Sequence, residues 1–389
     1  MVAWLLQLLA HRHPQAAKPR RTIRDLMVRP RKAAHPRFLG GARTLVTASA
    51  GGEECEGTPR AKGEEQWVSL DVASREFRPS LTLTTGQSFR WAERPGIPGE
   101  YAGVIGDKVV ILKEMPNDTW YRIAASASPY SLGTLEEKDR DSDVMIRGYL
   151  NIDTQPTLGD LHERFSQGDE RFRAVSPYFT GARILRQPPV ECLFCFICSQ
   201  NNNIGRITGM VNRLCENYGT YIGELDERQY YAFPTLKQME RVTEEDLRRL
   251  GFGFRAKYIV GSARAIGELG GEEVLLSLRS ASRADAHAFL ERLPGIGPKV
   301  ASCVCLFALD KHDDIPVDTH VWQIANRDFH MNLKGKSLTK KIYAQIGDNF
   351  RDKFGAYAGW AHQVLFIADL REHSSRLPEH LQPKQSGTE

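Results

Sequence analysis

One stretch of this chain constrains its fold more than any other: Phe289-Leu-Glu-Arg-Leu-Pro-Gly-Ile-Gly-Pro-Lys-Val-Ala-Ser-Cys-Val-Cys305. The pattern predicts a helix ending at Leu293, a tight reversal over Gly295-Ile-Gly297, and a second helix starting at Pro298. Two glycines are free to take the positive φ that a short reversal needs. Proline is favoured in a first helical turn, where its missing N–H has no intrahelical partner. Amide groups of such a turn, beside a helix N-terminus, form an anion site suited to a phosphate. That site needs no large net charge, and the chain has little. Its 52 Lys and Arg stand against 48 Asp and Glu. Residues 1–52 hold ten basic residues and one acid, so the leader carries +9 and the remainder −5. Positive surface in the body must therefore be local, and it is expected around the hairpin and Arg255.

Lys299 follows the hairpin at the positive end of its helix dipole, which disfavours the charged amine. A neutral amine is a nucleophile able to form a Schiff base with a sugar C1′. A phosphate-contacting lysine is the plain alternative. Asp318, in Ile315-Pro-Val-Asp-Thr-His320, lies 19 residues downstream, where a helix N-cap should be. A chain returning beside the hairpin would bring Asp318 near Lys299. There it can act as a cap alone, or as a carboxylate that stabilises positive charge on a sugar or assists proton transfer.

Around this centre the chain divides into two patterns. Residues 66–125 hold short runs rich in β-branched and aromatic residues: Leu81-Thr-Leu83, Ser88-Phe-Arg-Trp91, Tyr101-Ala-Gly-Val-Ile105 and Val109-Val-Ile-Leu112. Gly and Pro clusters separate them, as in an antiparallel meander. Residues 126–140 read as a polar loop, and helical periodicity runs from about 142 onward. The class is α+β: a smaller antiparallel sheet domain over 66–188, then a larger all-helical domain over 189–372. Residues 1–65 read as a basic leader and 373–389 as a disordered tail. The leader's apolar opening is too short to span a bilayer. Its Arg-rich, acid-poor composition resembles a transit peptide or a basic tail.

Seven cysteines, with no secretory signal, argue for free thiols. Cys192-x-x-Cys195-x-x-Cys198 has metal-like spacing, but its apolar filling predicts one buried helix. Successive positions there wind around the axis and cannot close a tetrahedral site alone, so no metal is expected.

Leu293-Pro-Gly-Ile-Gly-Pro-Lys-Val-Ala301 followed by Val317-Asp-Thr-His320 resembles the helix–hairpin–helix, Gly/Pro…Asp superfamily of DNA glycosylases. Lysine at the hairpin's end resembles its bifunctional branch, which also cleaves the backbone. Gly86-Gln-Ser-Phe-Arg-Trp91, Cys198-Ser-Gln-Asn-Asn-Asn-Ile-Gly-Arg206 and Tyr357-Ala-Gly-Trp-Ala361…Phe366-Ile-Ala-Asp369 are more specific. They resemble the eukaryotic 8-oxoguanine DNA glycosylase/AP lyase family over roughly 66–372. The resemblance implies a TBP-like sheet domain packed on a helical glycosylase domain. It implies that Lys299 is the nucleophile and Asp318 the catalytic carboxylate. Gly86 would offer its C=O to the N7–H of oxidised guanine, and Cys303 and Phe366 would sandwich the flipped base. Cys303, four residues after Lys299, would pair as thiolate with the ammonium. Asn201 would fill the space left by the base, with Arg206 and Arg255 donating to the orphaned cytosine. Gly295 and Gly297 of the hairpin, and His320, would meet phosphates.

Two positions depart from the family. His362 stands where Gln is usual, facing the base's Watson–Crick edge, and an imidazole there implies pH-dependent selectivity. Phe254 stands where a Tyr wedge is common. No cysteine follows Cys305, so the iron–sulfur loop of related glycosylases cannot form there. No cofactor is expected. The implied partner is duplex DNA containing oxidised guanine, met by a monomer without membrane attachment, with downstream abasic-site repair enzymes following. The implied location is nucleus or mitochondrion. The rival readings are a superfamily glycosylase of another lesion preference and a DNA-binding module without catalysis.

Overall fold

A computed structural model of the chain describes residues 67–127 and 135–383. The basic leader, Cys55 and the last six residues lie outside the described residues. Five strands, β1 (Val68–Ser69), β2 (Trp91–Glu93), β3 (Glu100–Ile105), β4 (Lys108–Glu114) and β5 (Thr119–Ser126), form an antiparallel sheet in the order β1-β5-β4-β3-β2. The expected Gly106-Asp107 turn is present, with Ile105 opposite Lys108 and Gly106 at φ +59°.

The continuous apolar run of β4 requires cover on both faces. On one face Tyr101, Ile105, Val110, Leu112 and Tyr121 pack against Ile146, Tyr149 and Leu150 of the helix Leu135–Leu150. On the other, Ala102, Val104, Val109 and Ile111 pack against Ile222 and Tyr230. These last two belong to a hairpin, β6 (Tyr221–Leu225) and β7 (Arg228–Tyr231), so the helical half is not all-helical as expected. The α+β class stands, with this second sheet added. The hairpin's turn is Asp226-Glu227, both at positive φ, and it lacks the glycine that signals such a turn.

Three other expectations are corrected. Leu81-Thr-Leu83 is no strand: Pro79–Thr82 is a helical turn started by proline, with Leu81 and Leu83 buried. The loop expected to 140 ends earlier, because a helix begins at Leu135. The tail from 373 stays ordered to 383, since Leu377 is buried and Leu381 O accepts a 2.9 Å bond from Arg171 Nη2.

The helices that build the site are α1 (Pro189–Cys198), α2 (Ile204–Tyr218), α3 (Arg255–Glu268), α4 (Arg283–Leu290), α5 (Pro298–Ala308), α6 (Thr319–Arg327), α7 (Lys340–Phe354) and α8 (Ala358–Asp369). All ten residues of α1 are buried, cysteines included, as its apolar sequence predicts. From Trp67 onward sheet and helices form one unit. Among the described residues no helix is long and apolar enough to cross a membrane.

Candidate active site

The hairpin forms where it is expected, between α4 and α5. Only its first glycine uses its freedom: Gly295 has φ +78°, whereas Gly297 sits at −103°, open to any residue. The reason for glycine at 295 is also steric. A Cβ there would lie 2.2 Å from the Tyr258 ring. Ser262 Oγ holds Pro294 O at 3.1 Å and Gln200 Nε2 holds Gly295 O at 3.0 Å. The turn is thus fixed from two sides.

Lys299 lies in the first turn of α5, half-buried, with Nζ 5.2 Å from the Phe196 ring centroid. The Cys303 thiol lies one turn on, close enough to feel its charge. Burial pushes that thiol up to about 11, and the nearby lysine only partly offsets it. Cys303 is therefore a neutral thiol here, not the thiolate expected beside an ammonium. Both Cys303 and the buried His362 of α8 feel the charges of Lys299 and Asp318, so the four groups converge.

Asp318 is the cap of α6, as expected, with Oδ1 accepting from Val321 N at 3.0 Å. Upstream, Asp314 Oδ1 accepts from Ile315 N at 2.9 Å and its Oδ2 meets His287 Nε2 at 2.6 Å. His287, Cys305 and Asp314 bring ligating atoms within 4.8 Å of one another. The direct His287–Asp314 bond puts a proton on Nε2, where a metal would need a lone pair, and burial holds the Cys305 thiol well above its ordinary value. This trio is a clamp between α4, α5 and the Asp318 segment.

On α8, His362 stacks on Phe366 with centroids 5.9 Å apart and planes at 22°. Phe366 also meets His320 edge-on at 5.6 Å. Neither ring nitrogen of His362 has a hydrogen-bond partner among the described residues. The Gly359 backbone, one turn back, lies near enough to favour the charged ring slightly but makes no hydrogen bond to it. Burial pushes the imidazole down to about 4, against the pull of Asp318, so it is neutral at physiological pH. The Gly86 turn, at φ +85°, is tied to this wall by Gln363 Nε2, 3.3 Å from Thr85 Oγ1.

His320 is held by Asp369, Nδ1 to Oδ2 at 2.9 Å, and Arg327 Nη1 grips the other oxygen at 2.8 Å. The Asp369 bond raises the imidazole above its ordinary value, against burial, while 40% of its side chain stays exposed. A partly protonated, accessible ring suits a phosphate. Asp369 was visible within the Phe366-Ile-Ala-Asp motif, but its role as orienter was not.

The Asn201 loop lies across from the hairpin. Asn203 caps α2, Asn202 Nδ2 donates to Cys198 O, and Asn201 stands exposed at φ +47°. Arg255 is 3% exposed and donates from Nε and Nη2 to Gln200 O and Asn201 O, so it also holds the loop's shape. Arg206 is exposed and close enough to lower the basicity of Arg255 after burial has done so. Phe254 is 43% exposed, with the Arg255 guanidinium 4.5 Å from its ring centroid.

Residues 69–193 match the family model described as 8-oxoguanine DNA glycosylase, N-terminal domain. Residues 194–348 match that of the HhH-GPD superfamily base excision DNA repair proteins. The chain is 42% identical over 325 residues to the N-glycosylase/DNA lyase OGG1 of Arabidopsis thaliana, covering 82% of this chain and 85% of the relative. It is 40% identical over 334 residues to the N-glycosylase/DNA lyase of Saccharomyces cerevisiae, covering 77% and 85%. Its fold is similar to that of the Clostridium acetobutylicum 8-oxoguanine glycosylase/lyase, solved with duplex DNA carrying cytosine opposite 8-oxoguanine. That likeness has a TM-score of 0.63 and 30% identity, over 76% of this chain and 92% of that one.

Proposed function

We propose that this chain, which belongs to the 8-oxoguanine DNA glycosylase family of helix–hairpin–helix base-excision repair proteins, excises 8-oxoguanine opposite cytosine and then cuts the abasic strand. Its coarser activity is that of a DNA repair glycosylase/lyase. The observation that carries the finer reading is the convergence of Lys299, Asp318, Cys303 and His362 at the foot of α5.

Hairpin amides and His320 hold the backbone, Phe254 wedges the stack, and the damaged base swings out at a cost of a few kcal/mol. The Lys299 amine, its proton given up, attacks C1′ as the glycosidic bond breaks; the base leaves with the electron pair and takes up the proton that the new C1′–N centre releases. Asp318 stabilises the positive charge that develops on the sugar. The C1′–O4′ bond then opens, O4′ taking a proton, to give the iminium; this acidifies the C2′ proton, and its transfer to water expels the 3′ phosphate by β-elimination. Gly86 C=O accepts from the N7–H of oxidised guanine, which guanine lacks because its N7 is an acceptor. His362 meets the base with one donor and one acceptor as a neutral ring. Burial favours the neutral ring, the form that offers one donor and one acceptor to the base.

Borohydride should trap a covalent enzyme–DNA adduct with an 8-oxoguanine:cytosine duplex. Trapping that persisted in Lys299→Gln would refute the assignment. The orphaned His362 keeps a second reading in play, a different lesion preference within the family. Single-turnover excision rates on a panel of damaged bases separate the two. The leader's transit role, and with it a mitochondrial rather than nuclear site, is tested by fusing residues 1–60 to a reporter. Diffuse cytosolic signal would sink it.

A further inference from the structure

We propose that Tyr343 is a positioning residue for Asp318, locking the segment that carries the carboxylate against the helix that carries Lys299. The proposal rests on the catalytic reading of Asp318 given above. Tyr343 lies on α7, 25 residues beyond Asp318, and no motif marks it. Its hydroxyl accepts from Val317 N at 3.2 Å. Its single proton is shared between Ser302 Oγ at 2.9 Å and Ile315 O at 3.2 Å. Burial holds that proton on the phenol.

These partners are informative. Val317 directly precedes Asp318, and Ser302 directly precedes Cys303 and sits three residues after Lys299. Ser302, Ile315 and Val317 are each at most 1% exposed, so water cannot replace the hydroxyl. Pro316 has no N–H, which leaves the Val317 amide as the sole backbone donor between Ile315 and Asp318. One oxygen therefore ties both ends of Ile315-Pro-Val317 to α5. The His287–Asp314 pair anchors the segment's start, and Tyr343 anchors its end. Phenylalanine at 343 keeps the ring packing but frees the residue before the carboxylate.

The test is a double-mutant cycle on excision of 8-oxoguanine under single turnover. Tyr343→Phe should slow excision by about 10- to 100-fold, the cost of a misplaced catalytic group. Affinity for a duplex bearing a tetrahydrofuran abasic analogue opposite cytosine should change less than about twofold. In the Asp318→Asn background the same change should cost almost nothing more, because its effect runs through that carboxylate. Equal fold-losses in both backgrounds, or parallel losses in binding, would overturn the proposal and leave Tyr343 as fold support. If Asp318→Asn alone excised at the parent rate, the catalytic reading itself would fall, a separate outcome. Should Tyr343→Phe not fold, Ser302→Ala loosens the same hub. Its smaller loss must also vanish in the Asp318→Asn background, and persistence there would refute the idea.

Discussion

The polar groups of the hairpin side and His362, the one ring of α8 against Phe366, are treated in opposite ways. Around the hairpin, Asp318, Asp314, His287, Pro294 O and Gly295 O all have protein partners. On α8, His362 is 3% exposed and both its nitrogens are unpaired among the described residues, although its neighbours Gln363 and Asp369 are paired. A buried polar group without a partner is costly, so it persists where a ligand completes it. Groups that hold backbone and charge are organised before substrate arrives, while the group facing the base is left open. The cost shows as an imidazole that cannot hold a proton.

The largest expected effect falls on the organised side. Asp318→Asn should slow excision by about 10²- to 10⁴-fold, the range of a lost general acid–base or charge-stabilising group. Binding of the abasic-analogue duplex should fall only a few-fold. Equal losses in both would reduce Asp318 to a helix cap and dissolve the contrast with α8.

The two hairpin glycines sharpen the comparison. Gly295→Ala places a methyl 2.2 Å from the Tyr258 ring at φ +78° and should cost about 1–3 kcal/mol by chemical unfolding. A Cβ at Gly297 meets nothing within 4 Å, so Gly297→Ala should fold normally and weaken only DNA binding. Comparable unfolding losses at both would show that the turn is not held as described.

His362 sets the opposite limb. Its folded value is near 4 against an ordinary 6.5, so the folded state favours the neutral ring. The unfolded chain takes up the proton first as pH falls. Stability present above about pH 6.5 is therefore lost on the way down to 4, by as much as ~3 kcal/mol. His362→Gln should flatten that acid limb in denaturant titrations at pH 7 and 4.5. Part of the limb should remain, because the buried His162 is also pushed down to about 4. An unchanged limb would mean that His362 finds a partner in solution.

The smallest effect is at His320, where Asp369 raises the imidazole. Its protonated form is favoured below its raised value and lost as pH rises through it, so affinity for DNA should decline a few-fold across that rise. Asp369→Asn should move the midpoint of that decline to lower pH. A profile unmoved by the substitution would separate His320 from the phosphate.

Much of the centre was legible because the chain writes it locally. The hairpin, the lysine in the next turn and the aspartate at the next cap are contiguous signals. Other features depend on distant partners. Arg255 also braces the Asn201 loop through Gln200 O and Asn201 O, 55 and 54 residues away, and no local pattern shows that second role. The β6–β7 hairpin was missed because its turn uses Asp226 and Glu227, and its strands are defined by the open face of β4 that they cover.

The sequence by itself determined which groups carry the chemistry and where the chain must reverse, since those depend on side-chain type and backbone freedom over a few residues. Tertiary structure alone decided their states. It made Cys303 a neutral thiol, His362 a neutral and unpartnered ring, and Tyr343 a lock on the Asp318 segment. Protonation and pairing depend on the dielectric and on the atoms that arrive from elsewhere in the chain, and no local pattern encodes either.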